Sequence, residues 1–117
     1  MLDVERIAKL SSIFPVTDSP YYLEGIVEIQ NVLIPVINLK KTFNYSSKDV
    51  LLDSSIIIMS HNNKKSGVIA DSVNDIIEIN EDTILKTQSN KYVYGVVKVE
   101  DSIVNLLDSN SLILDSI

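Results

Sequence analysis

Apolar and polar residues alternate in short stretches along most of the chain, a pattern that predicts many short strands and little helix. The clearest case is formed by residues 26–29 and 32–39, two apolar runs separated by Gln30 and Asn31. Because Asn tolerates the positive φ angle of a tight turn, this segment is predicted to be a β-hairpin. Pro35 has no amide hydrogen to donate and is expected at a sheet edge or a bulge.

The rest of the chain divides into similar short elements. Residues 54–60 form a β-branched run that is predicted to be a strand with both faces buried. After a polar turn, residues 66–73 are predicted to form the returning strand. This strand is expected to continue through residues 73–79, with its isoleucines buried. Residues 2–10 have the apolar spacing of a short amphipathic helix, and a second short helix is expected after Asp108.

The chain repeats its hairpin. A shift of seventy residues places Gly25 on Gly95 and Asn38 on Asp108, and apolar positions fall on apolar positions between them. Two unrelated hairpins can share an alternating apolar pattern by chance. The shared glycine before the first strand and the shared Asn or Asp after the second strand are additional matches, which favour a true repeat. We therefore infer an internal duplication and an all-β fold, built from small barrels or sandwiches.

The two halves are not equally complete. We assign residues 1–48 to a first subdomain and residues 49–117 to a second one, within a single domain, and the hairpin of residues 56–70 opens the second. Nothing upstream of residues 2–10 corresponds to this hairpin, so the first barrel is expected to lack its opening strands. An unpaired sheet edge would favour self-association or completion by another chain, and a chain truncated at its start is the alternative.

Composition narrows the classes of function. The chain has 117 residues, enough for one domain, and 45% of them are hydrophobic, enough for a core. The formal net charge of −6 opposes binding to nucleic acids or anionic membranes through general electrostatics. The chain has no cysteine and no apolar run long enough to span a bilayer. We expect a reduced, cytoplasmic setting without direct membrane insertion.

The side chains form no pattern typical of catalysis or of metal or cofactor binding. His61 is the only histidine and lies in a polar turn, so it cannot build a metal site alone. Asp71, Asn74 and Asp75 match part of a calcium loop, but the required Gly and the final Glu are absent. We therefore expect no catalytic, cofactor-binding or metal-binding residues, and a protein that works through its interfaces.

Three separated segments resemble CheW-like coupling domains of bacterial chemotaxis. They read, in order, YYLEGIVEIQNVLIPVINLKKTF, GVIADSVNDIIEI and YVYGVVKVEDSIVNLLD. The resemblance implies two five-stranded SH3-like barrels related by a pseudo-twofold axis, with few short helices. Members of this family usually begin with a strand hairpin before the region that matches LDVERI.

The resemblance also implies a non-catalytic scaffold that joins the cytoplasmic helical tip of a chemoreceptor to the regulatory domain of the histidine kinase CheA. A receptor helix would dock in an apolar groove between the barrels, and one barrel end would pack against a similar barrel of the kinase. The candidate partner-binding residues are Val4, Arg6, Ile7, Gly25, Ile26, Gln30, Asn31, Gly67 and Val68.

Two of these positions depart from the family pattern. Arg6 stands where the family commonly has Glu, and Gln30-Asn31 stands where it commonly has Arg-Gly. The family's ion pair cannot form, although Arg6 could donate a hydrogen bond to Gln30. One alternative is therefore a degenerate or truncated coupling domain with impaired binding. A small-molecule-binding β-barrel is the alternative from another class of function.

Overall fold

The structure is a computed structural model that describes residues 3–87 and 90–116. Contacts between residues divide the chain into two compact units, one ending at Asn74 and one beginning at Asp75. Each unit contains one β-sheet, and the described helices are short. The prediction of an all-β fold with few short helices is confirmed.

The first unit contains a five-stranded sheet. The strands lie in the order β1-β4-β5-β3-β2, and every neighbouring pair is antiparallel except β3 with β5. A short helix, α1 (Leu39–Thr42), follows β3. The strand bounds are β1 Asp3–Lys9, β2 Leu23–Ile29, β3 Val32–Asn38, β4 Ser55–His61 and β5 Lys64–Ala70.

One face of this sheet supplies the main hydrophobic core. Alternate residues of each strand point to the same face, so the core residues lie two apart along β3 and β4. Their side chains have almost no exposed surface, and each fully buried aliphatic side chain stabilises the fold by about 1.5–3 kcal/mol. The core residues are Val27, Ile34, Val36, Ile56, Ile58 and Ile69.

The second unit contains a three-stranded sheet among the described residues, in the order β6-β7-β8. The strands are β6 (Leu85–Lys86), β7 (Val93–Val99) and β8 (Ser102–Leu107). A second helix, α2 (Ser109–Ser116), follows β8 as predicted. A single 3-10 turn (Glu81–Thr83) precedes β6.

The two hairpins are built alike, as the internal duplication predicts. Strands β2 and β7 show the same sequence of exposed and buried residues, and both have a register shift just before their glycine. The Asn38 amide donates to the Tyr22 carbonyl at 2.9 Å, and the Asp108 amide donates to the Tyr92 carbonyl at 2.8 Å. The duplication therefore extends from residue pattern to backbone hydrogen bonds.

Two predictions about individual segments are wrong. Residues 3–9 form strand β1, not a helix, because they pair along β4. Residues 73–79 do not continue β5 as a buried strand, and Ile76 and Ile77 are exposed. Pro35 lies within β3, an interior strand, but pairing with β5 begins only at Val36, so β3 loses no hydrogen bond to β5 there.

Among the described residues, the first sheet has five strands and the second has three. The β4–β5 hairpin pairs with β1 and β3, so it completes the first sheet and does not open the second. The division between the units accordingly lies at Asn74 and Asp75, whereas the sequence placed it between residues 48 and 49. The parallel pairing of β3 with β5 joins segments that are distant in sequence, which local pattern does not reveal.

Candidate functional site

An exposed apolar stripe lies on β1, at one edge of the first sheet. Val4 is 60% exposed and Ile7 is 42% exposed. A bulge at Glu5 places Val4 opposite Met59 and Ile7 opposite Ile57, so both point to the same face although they are three residues apart. The bulge thus produces a continuous apolar surface that a partner can contact.

The opposite face of β1 carries Arg6. It pairs with Ile58, and the cross-strand row continues through Gly67 and Val36 to Gly25. With strands about 4.8 Å apart, Arg6 lies roughly 10 Å from Gly67 and roughly 19 Å from Gly25. The structure therefore brings three predicted site residues into one row, but it does not bring them into contact.

Gly25, Gly67 and Val68 are buried in the sheet. A Cβ built on Gly67 would lie 2.8 Å from Ile56 Cγ2, and one built on Gly25 would lie 2.7 Å from Ile13 Cγ2. Such distances leave no room for a side chain, so both glycines allow close packing within the protein. Gly25 also has a φ of 155°, which L side chains rarely adopt.

Gln30 and Asn31 form the exposed tip of the β2–β3 hairpin. Their φ angles of 53° and 65° are those of a type I′ turn, the turn that fits the twist of a two-residue hairpin. Among the described residues, no hydrogen bond joins Arg6 to Gln30, and β1 and β2 are the two edge strands of the sheet. Ile26 is half-buried beside Pro35.

Each hairpin presents an exposed aliphatic side chain that the sequence analysis did not select. Leu33 is 65% exposed and pairs with Glu28, while Ile103 is 67% exposed and pairs with Lys98. Leu33 and Ile103 are equivalent in the duplication, and the alternation of each strand could have identified them. Their cross-strand neighbours carry opposite charges, so the two hairpins offer surfaces of similar shape and different electrostatics.

A buried polar residue, Asn38, fixes the end of β3. Its side-chain amide donates to Glu24 Oε1 and to the Lys48 carbonyl, both at 2.9 Å, and its Oδ1 accepts from the Lys40 amide at 3.0 Å. Lys41 forms an ion pair with Glu24 at 3.2 Å. These contacts hold α1 and the loop after it against the hairpin, so they position structure and offer no reactive group.

No group of three or more His, Cys, Asp or Glu residues within 3–87 and 90–116 is arranged to hold a metal ion. None of the helices in these ranges has the length and apolar character required to cross a membrane. The surfaces that stand out are the apolar stripe on β1 and the hairpin tips.

The model of the CheW-like domain family matches residues 1–116 of the chain. The chain belongs to the CheW-like domain family. The family consists of non-catalytic scaffold domains of bacterial chemotaxis.

Individual CheW proteins and a solved structure agree with this assignment. Chemotaxis protein CheW of Bacillus subtilis is 26% identical over 98 residues, which cover 79% of this chain and 63% of that protein. Chemotaxis protein CheW of Thermotoga maritima is 28% identical, with 95% of this chain and 76% of that protein covered. The crystal structure of the scaffolding protein TtCheW from Thermoanaerobacter tengcongensis matches with a TM-score of 0.80 and 32% identity. That match covers 91% of this chain and 72% of TtCheW. The chain thus spans less than two thirds of the Bacillus relative.

Proposed function

We propose that this CheW-like domain is a cytoplasmic adaptor that couples the tip of a chemoreceptor to the regulatory domain of the histidine kinase CheA. The observation that carries the proposal is the family match over nearly the whole chain, at residues 1–116. An adaptor needs at least two separate surfaces for protein partners. The exposed aliphatic residues on β1 and at the β2–β3 hairpin supply two such surfaces in the first unit.

The β1 stripe is the proposed receptor-binding surface. The receptor tip is helical, and an amphipathic helix binds by laying its apolar face on exposed apolar side chains. Val4 and Ile7 lie roughly 7–10 Å apart along the strand, which suits side chains one to two turns apart on a helix. Charged residues border the stripe. Glu5 forms an ion pair with Lys65 at 2.9 Å, and Lys9 is exposed.

The tip of the β2–β3 hairpin is the proposed kinase-binding surface. Leu33 and the partly exposed Val32 give it an apolar centre, and Glu28, Gln30 and Asn31 give it a polar rim. An apolar centre inside a polar rim is the usual organisation of a protein interface. Gly25, Gly67 and Val68 support these surfaces from inside the sheet, and their predicted contact with a partner would be indirect.

The proposal is tested by measuring binding to an immobilised receptor tip and, separately, to an immobilised CheA regulatory domain. Ile7→Lys should weaken receptor binding at least tenfold with kinase binding unchanged, and Leu33→Lys should do the reverse, since apolar anchors contribute about 2 kcal/mol or more. Leu52→Lys is the matched control, because Leu52 is 93% exposed in a loop outside both surfaces. Binding of the unaltered chain to neither partner would reject the coupling role.

A degenerate coupling domain is the second candidate, and the sequence at Arg6 and Gln30 favours it. Neither residue is the family's usual one, so the family's ion pair cannot form between them. A degenerate domain that competes for the kinase should bind the kinase domain with normal affinity and fail to bind the receptor tip. Restoring the pattern with Arg6→Glu and Gln30→Arg should then recover receptor binding.

A further inference from the structure

Phe14 lies in the loop before β2 and pairs with that strand. Its amide donates to the Ile26 carbonyl at 2.9 Å, and the Ile26 amide donates to the Phe14 carbonyl at 2.8 Å. The bridge is antiparallel and lies on the outer side of β2, which is an edge strand of the first sheet. These hydrogen bonds fix the backbone of Phe14 beside the strand, although the residue comes from a loop.

The ring of Phe14 belongs to an exposed apolar patch. Phe14 is 61% exposed, although phenylalanine is among the residues most often buried. Phe14 lies opposite Ile26 and Ile26 lies opposite Pro35, so these three side chains point to the same face of the sheet. Leu33 lies two residues from Pro35 on β3 and points to that face as well. We call these four residues the Phe14 patch.

The Phe14 patch is small enough for one partner surface to cover it. Residues directly opposite in antiparallel strands lie about 5 Å apart, and diagonal neighbours lie about 7–8 Å apart. Phe14 is a direct neighbour of Ile26, and Leu33 is a diagonal neighbour of Ile26 on the other side. The patch therefore continues the hairpin tip at Leu33 across β2 to the preceding loop.

The second unit has an exposed apolar residue at the equivalent position. Leu85 pairs with Val96 as Phe14 pairs with Ile26, and Val96 is the counterpart of Ile26 in the duplication. Leu85 is 68% exposed. Since each side chain is mostly exposed, packing within its own unit does not explain why both positions are large and apolar. In the first unit this position carries an aromatic ring.

Gly25 determines where Phe14 lies. A Cβ built on Gly25 would overlap the Phe14 carbonyl oxygen and would lie 2.7 Å from Ile13 Cγ2. The loop therefore occupies the space that a side chain at position 25 would need, and glycine lets it come close enough to pair with Ile26. Through this contact the buried Gly25 influences an exposed surface that it does not itself reach.

Charge distinguishes the first hairpin from the second. Glu28 pairs with Leu33 and borders the Phe14 patch, whereas Lys98 pairs with Ile103 at the equivalent place in the second unit. Both charged side chains are exposed. Complementary charges favour the right partner and like charges exclude the wrong one. A partner of the Phe14 patch should therefore carry a basic residue opposite Glu28.

We infer that Phe14 is the aromatic anchor of the kinase-binding surface, that Gly25 positions it, and that Glu28 selects a partner pocket with a basic rim. A few residues supply most of the binding energy of an interface, and aromatic side chains buried at its centre are common among them. Because its backbone is already fixed, the Phe14 ring loses little conformational freedom when a partner covers it. The inference rests on the proposed coupling role and assigns residues within it.

Fluorine NMR tests whether the ring is covered. The chain contains two phenylalanines, Phe14 and Phe43, so a chain made with 4-fluorophenylalanine should give two resonances. Phe14→Leu identifies the Phe14 resonance by removing it. The chemical shift of an exposed fluorine differs between H2O and D2O, and this difference should disappear for Phe14 when the CheA regulatory domain binds. Phe43 follows α1, outside the patch, and should keep its value.

Binding to the immobilised CheA regulatory domain tests the contribution to affinity. Phe14→Ala should weaken binding at least tenfold, with binding to the receptor tip unchanged. Tyr45→Ala is the matched control, because Tyr45 is an aromatic residue of the same unit that is 58% exposed outside the patch. Leu85→Ala, at the equivalent position of the second unit, should also leave binding unchanged. Glu28→Lys should weaken binding at least threefold, and Lys98→Glu should not.

A double variant tests the positioning role of Gly25. Gly25→Ala should weaken kinase binding about as much as Phe14→Ala does, and the two changes together should weaken it no further. Losses that multiply would show that Gly25 acts independently of Phe14. Circular dichroism checks that each variant is folded, and the fluorine and Phe14→Ala measurements decide the role of the ring whatever the stability of Gly25→Ala.

Three results would overturn the inference. They are a Phe14 resonance that keeps its solvent dependence in the complex, unchanged kinase binding by Phe14→Ala, and equal losses for Phe14→Ala and Leu85→Ala. Each of these leaves the coupling role standing as long as the unaltered chain binds the kinase domain. An unaltered chain that binds neither partner would refute the coupling role and this inference together.

Discussion

Replacing Gly67 by alanine should destabilise the protein through packing, with no partner present. Gly67 lies on β5 between β4 and β3. A Cβ at this position would be 2.8 Å from Ile56 Cγ2 and 2.9 Å from Val36 Cγ1, nearly 1 Å closer than ordinary contact. Ile56 and Val36 have no exposed surface, so neither methyl group can move aside into solvent.

The expected loss of stability is the difference between two opposing effects on the free energy of unfolding. Overpacking a well-filled core costs about 1–3 kcal/mol. Replacing glycine also lowers the conformational entropy of the unfolded chain, which stabilises the folded protein by about 0.4–1 kcal/mol. The difference between these ranges runs from about 0 to about 2.6 kcal/mol, and because both methyl contacts are shorter than 3 Å we expect Gly67→Ala to lower the free energy of unfolding by about 1–2 kcal/mol.

Urea unfolding followed by far-ultraviolet circular dichroism measures this change. With an m-value of about 1–2 kcal/mol/M, the midpoint should fall by roughly 1 M. Ser66→Ala is the matched control on the same strand, because the buried Ser66 hydroxyl has no hydrogen-bond partner among the described residues. Removing this hydroxyl should leave stability unchanged or raise it slightly.

A double-mutant cycle tests whether crowding against Val36 causes the loss of stability. Val36→Ala alone should destabilise by creating a cavity, and in the Gly67→Ala background it should cost at least 0.5 kcal/mol less, because the new methyl group fills part of that space. Additive effects, or an unchanged midpoint for Gly67→Ala, would refute the view that this glycine serves packing.

Three further changes test other parts of the structure. Asn38→Ala should cost about 2 kcal/mol in urea unfolding, since its side chain makes three hydrogen bonds. Asp108→Ala should cost less than about 1 kcal/mol, because among the described residues its side chain accepts one hydrogen bond, which is 3.4 Å long; equal losses would contradict this. Gln30→Gly should raise the melting temperature by a few degrees, since Gln30 has a φ of 53°. Lys65→Ala should change stability by less than about 1 kcal/mol, because its ion pair is partly exposed.

The hairpins were predictable because their signals are local. The turn at Gln30 and Asn31, the repeated glycines and the Asn or Asp after each second strand are all visible in the residues. The structure places strands, turns with positive φ and equivalent hydrogen bonds at these positions. A tight turn is determined by the few residues that form it, so sequence suffices there.

Strand β1 could not be predicted from the sequence because its bulge changes the two-residue spacing of apolar residues that is typical of a strand. Apolar residues in a strand recur every second position, but the extra residue at Glu5 separates Val4 and Ile7 by three positions. Three is a helical spacing, so the pattern indicated a helix. The segment is a strand because it pairs with β4, which lies more than forty residues away in the sequence.

The candidate site was predictable only in part. Val4, Arg6, Ile7, Gln30 and Asn31 are exposed, and a partner can reach their side chains. The burial of Gly67 depends on strands on both its sides, and the register of a parallel pair has no local signature. Leu33 could have been identified from alternation, since it lies one position from the buried Ile34.

The coupling role is tested most directly by asking whether this chain bridges its two proposed partners. The CheA regulatory domain is immobilised, and a soluble receptor tip is passed over it with and without the 117-residue chain. We predict that the receptor tip is retained only when the chain is present, in proportion to the amount of chain bound. A receptor tip that is not retained, although the chain itself is bound, would contradict the coupling role.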